Sequence, residues 1–402
     1  MNPYLKLTYS GLFLLSIQNQ LSAVGIEQTY HDPTAAARGN AFTATADNAS
    51  AVHYNPAGLV WADSVTSQTA FYFARGKVKH TGGSGDFEHL SSSPTGAYFF
   101  NYPGLMDGRL ALGLGITIPH GLGIDYGDDY PLRTLGTDAY LAHLVISPAA
   151  SFKITDKLSL GMTLNYAYDD YRVEQGIITP GDSFKFEGTG KGWGYSLGVM
   201  YKPNDRWSFG ANYRSSIKTN INGTATTTAL LPAPFSGEEK ASTGFDYPQQ
   251  LVVGVAYKPN DKWLIEANVQ WSDWTSFDTF VLKQASGDLV APQNFQDTVF
   301  VGLGASNRLN SKTKLNFGYL FSTPAAPAET YNTFIPNADL HILSVGVDYQ
   351  AKDWLLSSTL LYNHARSRTI TGSPTNPISG VNSDGKWESS GFILMLGATK
   401  TF

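Results

Sequence analysis

The chain has 402 residues, a net charge of -5, no cysteine, and 15% charged side chains beside 40 Gly, 22 Tyr and 22 Phe. Without thiols there is no disulfide framework and no Cys-based metal site, and a mildly acidic balance with no basic block argues against nucleic-acid binding. Sparse charge with abundant Tyr and Gly suits an all-β protein.

At the start, Lys6 precedes the apolar run "LTYSGLFLLSI" and the small-residue end "NQLSA". A positive n-region, a short h-region and a small residue at the cut describe a secretory signal peptide over residues 1–23, with the mature chain beginning near Val24. No later run of 18 apolar residues follows, so no membrane-spanning helix is expected. Mean hydropathy is -0.17, a value that a transmembrane β-barrel shares with a soluble protein because only half of each strand faces lipid.

Residues 24–64 are Ala-rich, punctuated by Asn and Asp, and lack any period of two. They cannot extend a lipid-facing wall, yet Phe42, Val52, Tyr54, Leu59, Val60 and Trp61 are more apolar than a free tail requires. Such a segment fits inside a barrel, as a hatch that plugs the lumen.

From residue 65 to 402 the pattern alternates. In "LSLGMTLNYAYD" (Leu158 to Asp169), Leu158, Leu160, Met162, Leu164, Tyr166 and Tyr168 fall on one face. Trp207 to Arg214 and Trp263 to Ser272 repeat the scheme, and their apolar stripes begin or end on aromatics, as at the two interfaces of a membrane barrel. "YKPNDRW" (Tyr201 to Trp207) recurs as "YKPNDKW" (Tyr257 to Trp263) and, more loosely, as "YQAKDW" (Tyr349 to Trp354); each reads as a tight polar turn. Longer connections, such as Lys79 to Ser93 and Gly372 to Asp384, alternate with these turns, as extracellular loops do with periplasmic ones. Strands start near Thr66, Ser93, Arg109, Ala142, Leu158, Lys191, Arg206, Lys240, Lys262, Phe295, Lys312, Leu340, Trp354 and Lys386. The fold class is therefore all-β, a transmembrane antiparallel barrel of about fourteen strands. The final "GFILMLGATKTF" places Phe392, Leu394, Leu396, Ala398 and Phe402 on one face and resembles the recognition signal of outer-membrane barrels, which implies barrel-assembly machinery and outer-membrane lipid as partners; a monomer is expected.

"GYSLG" (Gly194 to Gly198) matches the G-x-S-x-G elbow of serine hydrolases, but its residues run straight through a strand rather than into a helix. The eight His show no metal-binding spacing, and no cofactor is expected.

"ARGNAFTATADNASAVHYNPAGL" (Ala37 to Leu59) resembles the N-terminal hatch of the FadL family of long-chain fatty-acid transporters, whose Asn-Pro-Ala motif falls on Asn55, Pro56 and Ala57. "LALGLGITIPHGLGIDY" (Leu110 to Tyr126), "WGYSLGVMYKPNDRWSFGANYRSSIK" (Trp193 to Lys218), "WSDWTSF" (Trp271 to Phe277) and "STPAAPAETYNTFIPNADLHILSVGVDY" (Ser322 to Tyr349) are similar to later parts of that family, in order along the mature chain. The resemblance implies a fourteen-stranded barrel with a hatch. It also implies passive transport of hydrophobic molecules across the bacterial outer membrane, with capture by the loops after strands five and seven and lateral release through a kink in the third strand.

In that strand Pro119 has no N–H and interrupts pairing, while Gly121 and Gly123 permit a bend; Pro119 could equally end the strand. The loop after strand seven offers Leu230, Leu231 and Phe235 as apolar contacts. The loop after strand five, Val173 to Gly190, is shorter than in the fatty-acid branch. A carboxylate ligand calls for a cation in an apolar setting, for which Arg172 and Arg214 are the candidates. Long-chain fatty acid is the favoured substrate. The alternatives are an aromatic hydrocarbon, as in the TodX-like branch, an outer-membrane lipolytic enzyme, or an adhesin.

Overall fold

A strand that alternates apolar and polar residues must hide one face, and here it hides the polar one. In β5 (Leu158–Gln175), Ser159 and Thr163 are 0% and 1% exposed, whereas Leu160, Met162 and Leu164 are 46–53% exposed. An apolar outer face around a polar interior is the arrangement that lipid outside and a filled lumen inside require. The computed structural model describes residues 26–229, 237–331, 333–335 and 337–402; the expected signal peptide and the loop residues Leu230, Leu231 and Phe235 lie outside the described residues.

The strands are β1 (Thr66–Thr81), β2 (Phe87–Gly104), β3 (Leu110–Asp125), β4 (Asp138–Thr155), β5, β6 (Ser183–Tyr201), β7 (Trp207–Arg214), β8 (Ile217–Thr228), β9 (Gly237–Tyr247) and β10 (Gln250–Asn260). They continue with β11 (Trp263–Ser272), β12 (Thr279–Gln284), β13 (Leu289–Pro292), β14 (Thr298–Arg308), β15 (Thr313–Ser322), β16 (Leu340–Ala351), β17 (Trp354–Ile370) and β18 (Gly385–Thr401). β6 pairs with both β7 and β8, which thus form one stave interrupted at Ser215 and Ser216. β10 pairs with β7 and β9 with β8, making a second interrupted stave. β12 and β13 form a hairpin beyond β11 and β14, which pair directly. β18 pairs back onto β1 along its whole length. The result is a closed antiparallel barrel of 14 staves.

The short turns share one end. In "YKPNDRW" the Asn204 side-chain oxygen accepts from the backbone N–H groups of Arg206 and Trp207, both at 3.0 Å. Asn260 does the same for Lys262 and Trp263. Asn310 does likewise for Lys312 and Thr313, and "YQAKDW" turns within two residues, Ala351 pairing with Trp354. Trp207 stacks on Tyr257 at 4.4 Å, so the two repeats put their aromatics side by side at one membrane boundary.

At the other end the strands run further than their alternation suggests. β1 and β2 pair as far as His80 and Phe87, so most of Lys79 to Ser93 is strand rather than loop. Likewise β5 and β6 pair out to Gln175 and Phe184, and the connection between them shrinks to residues 176–182. Beyond the bilayer both faces of a strand are wet, so the apolar stripe stops while the hydrogen-bond ladder continues.

The N-terminal segment from Ile26 to Ala62 packs against the inward faces of the wall. A short helix, Pro33–Ala37, is capped by Asp32, whose carboxylate accepts from the Ala35 N–H at 2.6 Å. Arg38 meets Glu266 of β11 inside the lumen, both side chains buried, and Thr45 donates to the second oxygen of Glu266 at 2.7 Å. Phe42, Val52, Leu59 and Val60 form an apolar cluster with Phe99, Ala111, Ala149 and Met200 of the wall.

Candidate functional site

The Asn-Pro-Ala stretch lies against β4, β5 and β6. Asn55 donates to the carbonyls of Thr43 at 2.8 Å and Val199 at 3.0 Å, and its oxygen accepts from the Ala57 N–H. Pro56 opens the 3₁₀ turn Pro56–Trp61, where its missing N–H costs nothing. The Ala57 carbonyl accepts from Ser159 at 2.7 Å and Ser151 at 3.2 Å. A Cβ on Gly161 would come within 2.3 Å of Ala57 N, and one on Gly198 within 2.2 Å of the Asn55 side-chain oxygen. The glycine that closes "GYSLG" is thus explained by the close approach of Asn55. Ser196 of that motif sits within β6 and accepts from Asn165 at 3.2 Å; no strand-to-helix elbow forms there.

The wall is interrupted between β2 and β3. Their ladder runs only from Tyr98 to Tyr102, opposite Ile116 to Leu112. Beyond it β2 stays paired with β1 and β3 with β4, so each has a ladder on one side alone. Pro119 does not end the strand: β3 continues to Asp125, with one extra residue opposite β4 between Thr117 and His120. In place of β2, β3 takes the N-terminal segment. Gln28 N–H donates to the Pro119 carbonyl at 2.7 Å, Gly121 N–H donates to the Ile26 carbonyl at 2.8 Å, and Glu27 bridges to His120. Neither Gly121 nor Gly123 has a positive φ, and a Cβ on Gly121 would meet only ordinary contacts. The register irregularity of β3 falls at Ile118 and Pro119, just before these glycines. Tyr126 and Tyr130, just past β3, pack on Phe87 and His89 of β2 with centroids 4.6–5.5 Å apart. They close the outer end of the stretch where β2 and β3 do not pair.

Behind this unpaired stretch lies a cavity lined by Glu27, His53, Pro119, His120, Arg214 and Gln250. Arg214 faces the lumen, as its place on the polar side of β7 predicts. It donates to the Gln250 side chain at 2.7 Å and to the His53 carbonyl at 2.8 Å. Burial, aided by the Arg214 charge, pushes the His31 imidazole down to about 3. Outward of this cavity the lumen becomes apolar and aromatic, with Leu122, Leu141, Phe186, Phe245, Tyr247, Trp274 and Phe277 in one buried cluster. Within it His143 contacts Asp169 at 2.6 Å and lies on Tyr247, ring centroids 3.7 Å apart.

Arg172 does not join Arg214. It is on the outer face of β5, where its partner on β4 is Tyr140, and it pairs with Asp138 at 2.6 Å. Alternation separates the two: in β5 the even-numbered residues look outward. Glu27, His53 and His120 were not legible as site residues, because only the docking of the N-terminal segment on β3 brings them to Arg214.

Residues 14–402 match the family described as outer membrane protein transport protein (OMPP1/FadL/TodX). The chain belongs to that family. It is accordingly an outer-membrane transport protein, and the lipid-facing barrel agrees with that location. The long-chain fatty acid transport protein of Escherichia coli K12 is 21% identical over 406 residues, with 89% of each chain covered. A FadL homologue from Pseudomonas aeruginosa superposes with a TM-score of 0.85 at 19% identity, over 94% of this chain and 100% of that one. The toluene transporter TodX of Pseudomonas putida gives a TM-score of 0.74 at 18% identity, covering 94% and 100%. At such identities the structural matches speak for the fold alone.

Proposed function

We propose that the chain is a passive conduit for hydrophobic molecules, long-chain fatty acids in the first place, which enter from the outer loops and leave sideways through the opening between β2 and β3. The observation that supports this reading is the stretch where β2 and β3 do not pair, with the Arg214 cavity directly behind it. An apolar ligand moving straight through a wet pore would expose its surface to water at a cost of about 25 cal/mol per Å²; a side exit delivers it into lipid. The segment from Ile26 to Ala62 acts as the hatch, filling the lumen below the cavity, so the exit is the wall rather than the inner mouth. The apolar cluster from Leu122 to Phe277 supplies an acyl-chain path, and Arg214 a cation for a carboxylate. A second reading, transport of aromatic hydrocarbons, is favoured by the wealth of aromatic rings in that cluster and needs no cation. The protein has no enzymatic role in this scheme.

The test is displacement of a fluorescent long-chain fatty acid from the refolded barrel by oleate and by toluene, with parallel assay of lipid hydrolysis. Saturable displacement by oleate, weakened about tenfold or more in Arg214→Ala by loss of a charged hydrogen bond, is the expected outcome. Displacement by toluene alone would move the protein to the hydrocarbon reading. Turnover of lipid would replace transport with catalysis.

A further inference from the structure

We propose that binding of a carboxylate ligand in this cavity takes up one proton, shared between the ligand and Glu27. The inference rests on the fatty-acid reading above. Arg214 is the one Lys or Arg among the described residues lining the cavity. It is linked to Glu27 by a continuous hydrogen-bonded path: Arg214 donates to Gln250, Gln250 donates to Ser272 at 3.3 Å, and Gln270 donates both to Ser272 at 3.1 Å and to Glu27 at 2.7 Å. Glu27 itself is pinned beside the wall opening by its bridge to His120.

Glu27 and Arg214 together bring one carboxylate and one guanidinium, whose charges balance. A second carboxylate on the same guanidinium leaves a net negative charge away from water, and two like charges in one site cannot both stay ionised at neutral pH. The other titratable groups facing this space among the described residues are His53 and Tyr54 of the N-terminal segment, with His31 against His53, His120 of β3, His143 of β4 and Tyr247 of β9. Burial and the Arg214 charge both disfavour a proton on His53, whereas burial already pushes the Glu27 carboxyl up. The proton comes from solvent and forms an O–H bond on Glu27 or on the ligand. When the ligand leaves through the wall it carries that proton as the neutral acid, and the Glu27–Arg214 balance is restored.

Calorimetric titration of oleate into the full-length refolded protein, in two buffers of different ionisation enthalpy, reads the proton directly. Uptake of about one proton per oleate is expected, with affinity falling toward about tenfold per pH unit on the alkaline side. Glu27→Gln should abolish the uptake and flatten the pH profile, while still binding oleyl alcohol, which shows its cavity to be formed. Oleate binding without proton uptake, or with uptake unchanged in Glu27→Gln, overturns the proposal and leaves the transport reading standing. Failure of oleate to bind at all sinks both.

Discussion

Arg38 and Glu266 show what a buried charge does in this lumen. Their side chains are 3% and 1% exposed, and the pair is completed by Thr45 on one side and by Asp47, at 3.3 Å from Arg38, on the other. A pair so enclosed adds little over an apolar pair, but removal of one partner strands the other. Glu266→Ala should therefore loosen the N-terminal segment by about 3–5 kcal/mol, read as faster protease cleavage near Arg38 and raised ion conductance in planar bilayers. Arg38→Met with Glu266→Leu should recover most of that loss. Unchanged conductance in Glu266→Ala would mean that the segment is held mainly by Asn55 and its neighbours. At this scale the sequence was partly legible. Asn55, Pro56 and Ala57 stood out, whereas the partners that hold them, Ser159, Gly161 and Gly198, looked like ordinary wall residues.

At the scale of elements, two features depend on where a ladder stops. The β2–β3 ladder stops at Tyr98 and Ile116, and the vacated edge of β3 is taken by Ile26 to Gln28. Proline and the alternation pointed to an irregular third strand, but nothing local showed which segment would take the freed edge. The connection after β5 is the second feature. Asp182 accepts from the backbone N–H groups of Ile177, Ile178 and Thr179 and from Arg133. Burial alone would raise this carboxyl, but those donors outweigh it and hold it well below its ordinary range. A depressed carboxyl stabilises the fold fully above its unfolded value of about 3.9, and loses that effect as pH falls through the lower folded value. Hydrogen exchange at Ile177 to Thr179 should thus stay slow at neutral pH and into mild acid, and accelerate only below about pH 4 beyond the intrinsic trend. In Asp182→Ala it should be fast throughout. Protection in Asp182→Ala equal to that of the parent would show that the loop is held by other contacts.

For the whole molecule, the bilayer decides the sign of each substitution. Leu394 of β18 lies on the outer face between Phe73 and Leu360. Leu394→Arg should destabilise the barrel by about 2–4 kcal/mol near the membrane midplane, measured by denaturant unfolding in lipid vesicles. Lys400, near the boundary, instead reaches Asp353 at 3.1 Å and lies over the Trp354 ring, so Lys400→Leu should change stability little. Equal effects at the two positions would contradict the assigned membrane depth.

The sequence by itself determined the barrel, its strand count and the face that meets lipid, because a period of two fixes each side chain's direction wherever one face is apolar. The lack of a period of two also set residues 24–64 apart from the alternating stretch that follows. The tertiary structure alone decided how far the strands rise beyond the membrane, since the alternation ends there while pairing does not. It separated Arg172 from Arg214 by the face each occupies. It also assembled Glu27, His120 and Arg214 from three distant parts of the chain around one opening. Such a site rests on long-range backbone pairing between the N-terminal segment and β3, which leaves no periodic trace in either stretch.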